Sequence, residues 1–186
     1  MVGNAYPSMD THSLHSRIIA CTLCPLSNGR THAVPGEGPQ SPRVMLIGEA
    51  PGRNEDVHGK PFCGAAGKKL DGLLSHAGLR REDVFITSVV KCRPPENRVP
   101  APEEALTCKT HYLFPQIQLL KPAIIGLMGR TAIQHVLGED ISLPQMHGKI
   151  IERGGQKYAI LYHPAAMIYN QSLTATMMSD FLSLKG

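Results

Sequence analysis

The sequence has no long hydrophobic run, no secretory leader pattern and no internal repeat. Its uninterrupted apolar stretches are far shorter than the roughly 20 residues that a membrane-spanning helix needs. The N-terminal residues lack the charged and apolar regions of a signal peptide. Structural disulfides are not expected either, because the five cysteines are odd in number and disulfides belong to oxidising compartments. We therefore expect a cytoplasmic protein that does not enter a membrane.

A second Cys-x-x-Cys pair is also missing, although such pairs usually come in twos in four-cysteine zinc sites. Cys21 and Cys24 form the one pair, and Cys92 and Cys108 follow much later in separate segments. Cysteine thiolates are the usual ligands of iron–sulfur clusters. The four positions favour an iron–sulfur cluster, with zinc or no metal as the alternatives.

The size and charge of the chain suit one globular domain with a polyanionic partner. It has 186 residues, 42% of them hydrophobic, and a formal net charge of +4, which four ligating thiolates would partly offset. We expect one domain over residues 1–186, with an N-terminal helix and cysteine pair over residues 10–26 pinned by the cluster.

Short, almost continuous apolar runs predict a parallel sheet covered on both faces. They lie at residues 43–48, 84–90, 123–128 and 158–162. Helical spacing of apolar residues predicts helices between and around them, over residues 11–20, 64–77, 130–137 and 172–184. Another helix starts at Pro102, and Pro115 is expected to kink or end it. The alternation predicts an α/β fold.

Three loops that follow predicted strands are rich in glycine, proline and charge. They cover residues 48–56, 91–98 and 163–170. Ligands of open parallel sheets bind where the loops leave the carboxyl ends of the strands. We expect the three loops to meet at one edge and form the site.

Several motifs together resemble the family 4 uracil-DNA glycosylases of bacteria and archaea. They are Gly48-Glu-Ala-Pro-Gly52, Gly59-Lys-Pro-Phe-Cys-Gly-Ala-Ala-Gly67, Thr87-Ser-Val-Val-Lys-Cys-Arg-Pro-Pro95, His163-Pro-Ala165 and the four cysteines. The resemblance spans residues 21–170, with the motifs in the family's order. It implies a three-layer α/β/α fold with a four-stranded parallel sheet. It also implies a 4Fe-4S cluster on Cys21, Cys24, Cys92 and Cys108, and removal of uracil from DNA.

Removing a base from DNA requires that the base be flipped into a pocket, where stacking replaces its lost neighbours. Phe62 is the predicted stacking face, with a plain core residue as the alternative. Cleavage leaves negative charge on the base and positive charge on the sugar. By resemblance, His163 stabilises the departing base, and Glu55 and Glu49 are the candidate carboxylates near the sugar.

Cations and apolar side chains beside these motifs are candidates for holding the DNA. Lys91, Arg93 and Arg98, with Arg53 and Lys60 nearby, are predicted phosphate contacts, and Met167 and Ile168 are predicted wedges between bases. The alternative for each cation is a solvated surface charge. Tyr169 stands where the family usually has arginine, which favours stacking over a phosphate contact there.

Two further departures concern the base pocket, which the resemblance assigns to Ala50, Gly52, Phe62 and Ser88. Ala50 replaces the aspartate of more powerful relatives, so water activation falls to Glu55, the backbone or ground-state geometry. Ser88 stands where the family has asparagine, whose amide pairs with the uracil edge; a hydroxyl offers one short arm instead. Cys63, the remaining cysteine, is expected to be a packing residue.

We predict a monomeric, monofunctional DNA glycosylase that excises uracil and so starts base excision repair. Excision of a deaminated purine, hypoxanthine or xanthine, is one alternative. A catalytically weak module that only binds damaged DNA is another.

Overall fold

A central five-stranded sheet forms the middle of the protein in the computed structural model, which describes residues 10–185. In spatial order the strands are β2, β1, β3, β5 and β4. The chain order is β1 (Val44–Gly48), β2 (Val84–Ser88), β3 (Ile124–Met128), β4 (Ile150–Arg153) and β5 (Gln156–Leu161). All neighbours pair in parallel except β4 and β5. The predicted parallel sheet is confirmed; the domain prediction over residues 1–186 extends beyond the described residues at both ends.

The prediction of four strands is wrong by one, because β4 pairs antiparallel with β5 at the sheet edge. The two strands are joined by Gly154 and Gly155, both with positive φ, as a tight two-residue hairpin turn requires. β4 is short and mostly exposed. It therefore lacks the continuous apolar run by which buried strands are detected.

Helices cover both faces of the sheet. In chain order they are α1 (Thr11–Ile19), α2 (Arg53–His58), α3 (Ala65–His76), α4 (Pro102–Cys108), α5 (Phe114–Leu120), α6 (Arg130–Leu137), α7 (Leu143–Met146), α8 (Ala166–Tyr169) and α9 (Thr174–Phe181). Successive strand residues point to opposite faces, so Met45 and Ile47 join one apolar cluster with α1, α5 and α6. Val44 and Leu46 join the other, with α3 and α9. The result is the expected α/β/α arrangement.

The helix predicted from Pro102 does not end at Pro115. A π-helical segment, Lys109–Leu113, joins α4 to α5, and Pro115 is the second residue of α5. Such segments are rare and interrupt the regular hydrogen-bond ladder. Cys108 is the last residue of α4, immediately before this irregular turn.

Within residues 10–185 no helix combines the length and apolar character needed to span a bilayer. The longest is α3, with 12 residues.

Candidate active site

A pocket opens where the parallel strands β1 and β2 end. It encloses about 700 Å³, counting its open mouth. Six residues predicted for base binding or catalysis line it: Ala50, Gly52, Glu55, Phe62, Ser88 and His163. They come from the loops after β1, β2 and β5 and from the segment before α3. The expectation that the three loops meet at one edge is confirmed.

Phe62 forms one wall of this pocket in an unusual backbone conformation. Its φ is +48°, a left-handed value that bulky residues rarely adopt. Two glycines give it room: a Cβ on Gly48 would lie 2.9 Å from the ring, and one on Gly67 would lie 1.7 Å from its carbonyl oxygen. The ring is only 8% exposed and also packs against the core below α3. Phe62 therefore belongs both to the core and to the pocket wall.

Glu55 is fixed at the start of α2 by two backbone groups. One carboxylate oxygen accepts a hydrogen bond from the Gly52 amide at 3.1 Å, and the other accepts one from the Gly64 amide at 3.0 Å. The carboxylate thus ties the loop after β1 to the segment before α3. It stands in the pocket in a defined orientation, at the positive end of a helix.

Glu49 differs from its predicted role. It is half-buried and does not line the pocket. Its carboxylate accepts a hydrogen bond from the Thr131 hydroxyl on α6. This placement makes Glu49 a link between β1 and α6 and does not support the prediction that it is catalytic.

His163 presents a defined tautomer to the pocket. Its Nδ1 accepts a hydrogen bond from the Ala165 amide at 3.2 Å, so the neutral ring carries its proton on Nε2. Burial lowers the pKa of His163 to about 4, and the nearby Glu55 charge only partly opposes this. At neutral pH His163 is an uncharged N–H donor.

Ser88 lies at the carboxyl end of β2 and is 6% exposed. Its hydroxyl forms no hydrogen bond with any residue in the described part of the chain, whereas its carbonyl accepts one from Lys91 Nζ at 2.8 Å. Ser88 lines the pocket, and its hydroxyl has no partner among the described residues. It is therefore available to a ligand.

The prediction that Lys91 contacts DNA phosphate is wrong, because Lys91 is only 1% exposed. Its ammonium donates to Thr87 Oγ1 at 2.6 Å and to the Ser88 carbonyl at 2.8 Å. Burial lowers the pKa of Lys91 to about 8. A side chain enclosed in this way cannot reach a phosphate.

The other predicted cations remain at the surface. Arg93 Nε donates to Asn97 Oδ1 at 2.8 Å, and Arg98 forms a two-point ion pair with Glu104 at 2.7 and 2.8 Å. Arg53 and Lys60 are exposed.

The two predicted wedge residues, Met167 and Ile168, differ in their exposure to solvent. Met167 is 6% exposed and packs in the core, so its prediction as a wedge is wrong. Ile168 is 42% exposed and Tyr169 is 88% exposed, side by side on α8. Because α8 begins three residues after His163, these two side chains lie on the loop that carries it.

Sequence reasoning missed Asn97, which lines the pocket from the loop after β2. Its φ is +55°, and Arg93 holds its side-chain oxygen. The signal available in the sequence was an asparagine after Pro94 and Pro95, since asparagine tolerates the left-handed conformation.

The four predicted cysteine ligands line one small pocket of about 290 Å³, part of it open to solvent. Three N–H groups point at their sulfurs: Arg30 Nη1 to Cys92 at 3.0 Å, the Lys91 amide to Cys108 at 3.3 Å, and the Leu23 amide to Cys21 at 3.5 Å. Burial raises the pKa of the Cys24 and Cys92 thiols, and that of Cys108 to about 12. Arg30 was not predicted.

Cys63 lies apart from this pocket and is exposed, so it is not the buried packing residue that was expected. Among residues 10–185, no three histidine, cysteine or acidic side chains are grouped so that they could hold a metal ion.

The sheet is open and largely parallel, and a ligand-sized pocket lies at its carboxyl edge. This is where α/β proteins with open parallel sheets bind their ligands. The model of the uracil DNA glycosylase superfamily matches residues 35–183, and the chain belongs to that superfamily. Within it, the chain belongs with the type-4 enzymes. It is 44% identical to the type-4 uracil-DNA glycosylases of Archaeoglobus fulgidus, Thermotoga maritima and Pyrobaculum aerophilum. These matches cover 88%, 84% and 96% of this chain and 86%, 82% and 94% of the relatives, in the same order.

Proposed function

We propose that the protein is a monofunctional uracil-DNA glycosylase that flips uracil out of DNA and hydrolyses its N-glycosidic bond. The observation that carries this proposal is the pairing of Phe62 and His163 in one pocket. One residue offers an aromatic face and the other a neutral donor, which are the two groups that base capture and cleavage need. The type-4 relatives, which are named for this activity, support it.

Phe62 receives the flipped base. Stacking on an aromatic ring contributes roughly 1–3 kcal/mol per base and offsets much of the cost of unstacking. Because Phe62 is only 8% exposed and packs against the core, little side-chain freedom is lost when the base arrives. The face is therefore preorganised for stacking.

His163 stabilises the departing base through Nε2–H. Negative charge develops on a base carbonyl as the bond breaks, and a fixed donor in a water-poor site stabilises it strongly. The low pKa keeps His163 neutral. The neutral ring therefore donates a hydrogen bond without transferring a full proton.

Glu55 supplies the negative charge near the sugar. Ala50 contributes only a methyl group to the pocket, and Glu49 points to α6. Although both Glu55 oxygens accept backbone N–H groups, a carboxylate has about four acceptor positions. It therefore keeps capacity for a water molecule while it stabilises the cationic sugar electrostatically.

The base edge is read by the free hydroxyl of Ser88. A hydroxyl can donate once and accept from a second group, and it turns to suit its partner. It makes fewer contacts with uracil than an asparagine amide would. We expect weaker uracil recognition than an asparagine would give at this position.

DNA is held by Arg53, Lys60, Arg93 and Arg98 at phosphates and by Ile168 and Tyr169 at the bases. The exposed pair on α8 replaces the predicted pair Met167 and Ile168, because Met167 is buried. Partly exposed arginines suit phosphate contacts. Insertion of an apolar or aromatic side chain compensates for the space that the flipped base leaves.

A 4Fe-4S cluster held by Cys21, Cys24, Cys92 and Cys108 fits the second pocket. The proposal rests on the four thiols that line one pocket, because cysteine thiolates are the usual ligands of such clusters, and on the single Cys-x-x-Cys pair, since four-cysteine zinc sites usually have two. N–H groups aimed at three of the sulfurs suit thiolate ligands. Cys21, Cys24, Cys92 and Cys108 would hold the cluster, which would then crosslink the segment after α1 to the loop after β2 and to α4.

We also propose that the chain acts as one domain and as a monomer. The test is direct: purified protein in excess is incubated with single- and double-stranded oligonucleotides containing uracil, hypoxanthine or xanthine, and alkali then reveals abasic sites. We expect cleavage at uracil. Binding to uracil DNA without abasic sites would show a damage-binding module, and cleavage at a purine alone would show the other alternative.

A further inference from the structure

One of the largest fully buried side chains in the described residues is a lysine, Lys91. Its ammonium has two oxygen partners, Thr87 Oγ1 and the Ser88 carbonyl. No carboxylate between residues 10 and 185 forms an ion pair with it. A buried charge without a counter-ion costs several kcal/mol in proteins, so an anion near Lys91 would stabilise the folded protein.

The candidate anion is the cluster proposed for the pocket of the four cysteines. Lys91 lines the pocket of the four cysteines, and its backbone N–H donates to Cys108 Sγ at 3.3 Å. Arg30 reaches Cys92 in the same pocket. Four thiolates around an iron–sulfur core carry net negative charge, and nearby charge and hydrogen bonds set the reduction potential of such a core.

We propose that Lys91 is the internal counter-cation of the cluster and, through the same ammonium, holds the end of β2 at Ser88, so that the cluster and the base pocket share one buried group. This inference rests on the proposed cluster. It assigns Lys91 as a positioning residue for the base pocket, with no contact to the base itself.

Hydrogen bonds around Lys91 connect it to the end of β2, which carries Ser88 into the base pocket. The Thr87 hydroxyl donates to the Pro35 carbonyl, which also accepts from Gln116 Nε2 on α5. β2 is therefore anchored on one side by this network and on the other by the Lys91 bond to the Ser88 carbonyl. If the negative charge of the cluster is lost, the ammonium is left uncompensated, and the end of β2 that carries Ser88 loses its support.

Two variants separate the charge of Lys91 from its hydrogen bonds. Lys91→Met removes both, and Lys91→Gln removes the charge but keeps a donor for the Ser88 carbonyl. Lys157→Met, at an exposed lysine on β5, is the matched control. Each protein is measured with its cluster in place: reduction potential by film voltammetry, iron release to a chelator, and kcat and KM on uracil DNA.

We expect both Lys91 variants to have a more negative reduction potential than the parent, because the reduced cluster loses a stabilising cation. Iron release should be faster in both. Excision should fall by about 10-fold in Lys91→Met and by less in Lys91→Gln, since only the glutamine keeps a hydrogen bond to Ser88. Lys157→Met should match the parent. Unchanged potentials in both Lys91 variants would overturn the inference.

The parent protein provides a second measurement that needs no variant. Reductive methylation, read by peptide mass spectrometry, is compared before and after the cluster is removed with ferricyanide and a chelator. We expect Lys91 to be protected with the cluster and modified without it, while Lys157 is modified in both. Protection that survives cluster removal, or modification of Lys91 in the loaded protein at the rate of Lys157, contradicts the proposal.

Failure of this inference is distinguishable from failure of the proposed function. A parent that excises uracil but purifies without iron and sulfide overturns the cluster and the role of Lys91 and leaves the glycosylase standing. A loaded protein that shows the Lys91 effects on potential but produces no abasic sites leaves the counter-cation standing and overturns the glycosylase.

Discussion

The ring centroids of Phe62 and His163 are 5.5 Å apart, and the two ring planes are inclined by 32°. A base stacked on Phe62 is therefore brought beside the donor that stabilises it when it leaves. The same ring helps to exclude water from His163, which contributes to its low pKa. Stacking and leaving-group stabilisation thus depend on one contact.

Replacing His163 by alanine should reduce single-turnover uracil excision by roughly 100- to 1,000-fold, the usual effect of removing one preorganised donor to a developing anion. Folding should survive. His12→Ala, at an exposed position on α1, is the control and should match the parent. A His163→Ala protein that cleaves like the parent would remove His163 from the mechanism.

The low pKa of His163 predicts a specific pH dependence of stability. The folded protein takes up the proton only at about pH 4, whereas the unfolded chain takes it up near pH 6.5. Between these values the unfolded state binds more protons, so the free energy of unfolding decreases as the pH falls from 6.5 to 4. The slope is at most about 1.4 kcal/mol per pH unit.

Urea unfolding of the parent and of His163→Asn at pH 7 and pH 5 measures this contribution. The parent should lose more stability than the variant over that interval. Equal losses would show that His163 titrates normally in the folded protein.

Ser88→Asn should increase uracil excision several-fold. The amide supplies a donor and an acceptor where the hydroxyl supplies one short arm, and each recovered buried hydrogen bond contributes roughly 0.5–1.5 kcal/mol. Single-turnover rates on uracil, hypoxanthine and xanthine are compared for the parent, Ser88→Asn and Ser88→Ala. A drop on purines with no gain on uracil would indicate a purine pocket, and no change on any base would show that Ser88 does not touch it.

Cys108→Ser should lose iron and sulfide, whereas Cys63→Ser should keep both. Cys108 lines the pocket of the four cysteines and Cys63 is exposed elsewhere, so the pair controls for loss of a thiol as such. Iron and sulfide analysis, with the visible absorption spectrum, provides the measurement. Zinc without sulfide in the parent would replace the iron–sulfur assignment with a structural zinc site.

Tyr169 should contribute to DNA binding by stacking rather than by charge. Tyr169→Ala should weaken binding to uracil DNA by roughly 1–3 kcal/mol with little change in its salt dependence, and Tyr169→Phe should match the parent. Tyr169→Arg should steepen the salt dependence of DNA binding by the amount expected for about one additional phosphate contact. Titration at several salt concentrations checks this, and Tyr169→Ala binding that equals the parent's would exclude the stacking role.

The sequence by itself determined the parallel sheet and its pocket. Short, almost continuous apolar runs such as residues 44–48 are typical of strands covered on both faces, and the loops after parallel strands emerge at one edge. The strand pattern therefore located the loops that form the pocket, whereas Glu55, Ser88 and His163 were assigned within them by resemblance to the family's motifs. The four cysteines that line one pocket were selected by their ligand chemistry, their spacing and the same resemblance.

Only the tertiary structure decided how single side chains are oriented within those loops. Lys91 and Met167 lie in segments whose composition suits a surface, yet both are buried, while Tyr169 is almost fully exposed. Glu49 points to α6, away from the pocket, and β4 joins the edge without an apolar signal. Local composition fixes which segments are strands and loops; the burial of one side chain depends on what distant parts of the chain pack against it, and sequence spacing carries no record of that packing.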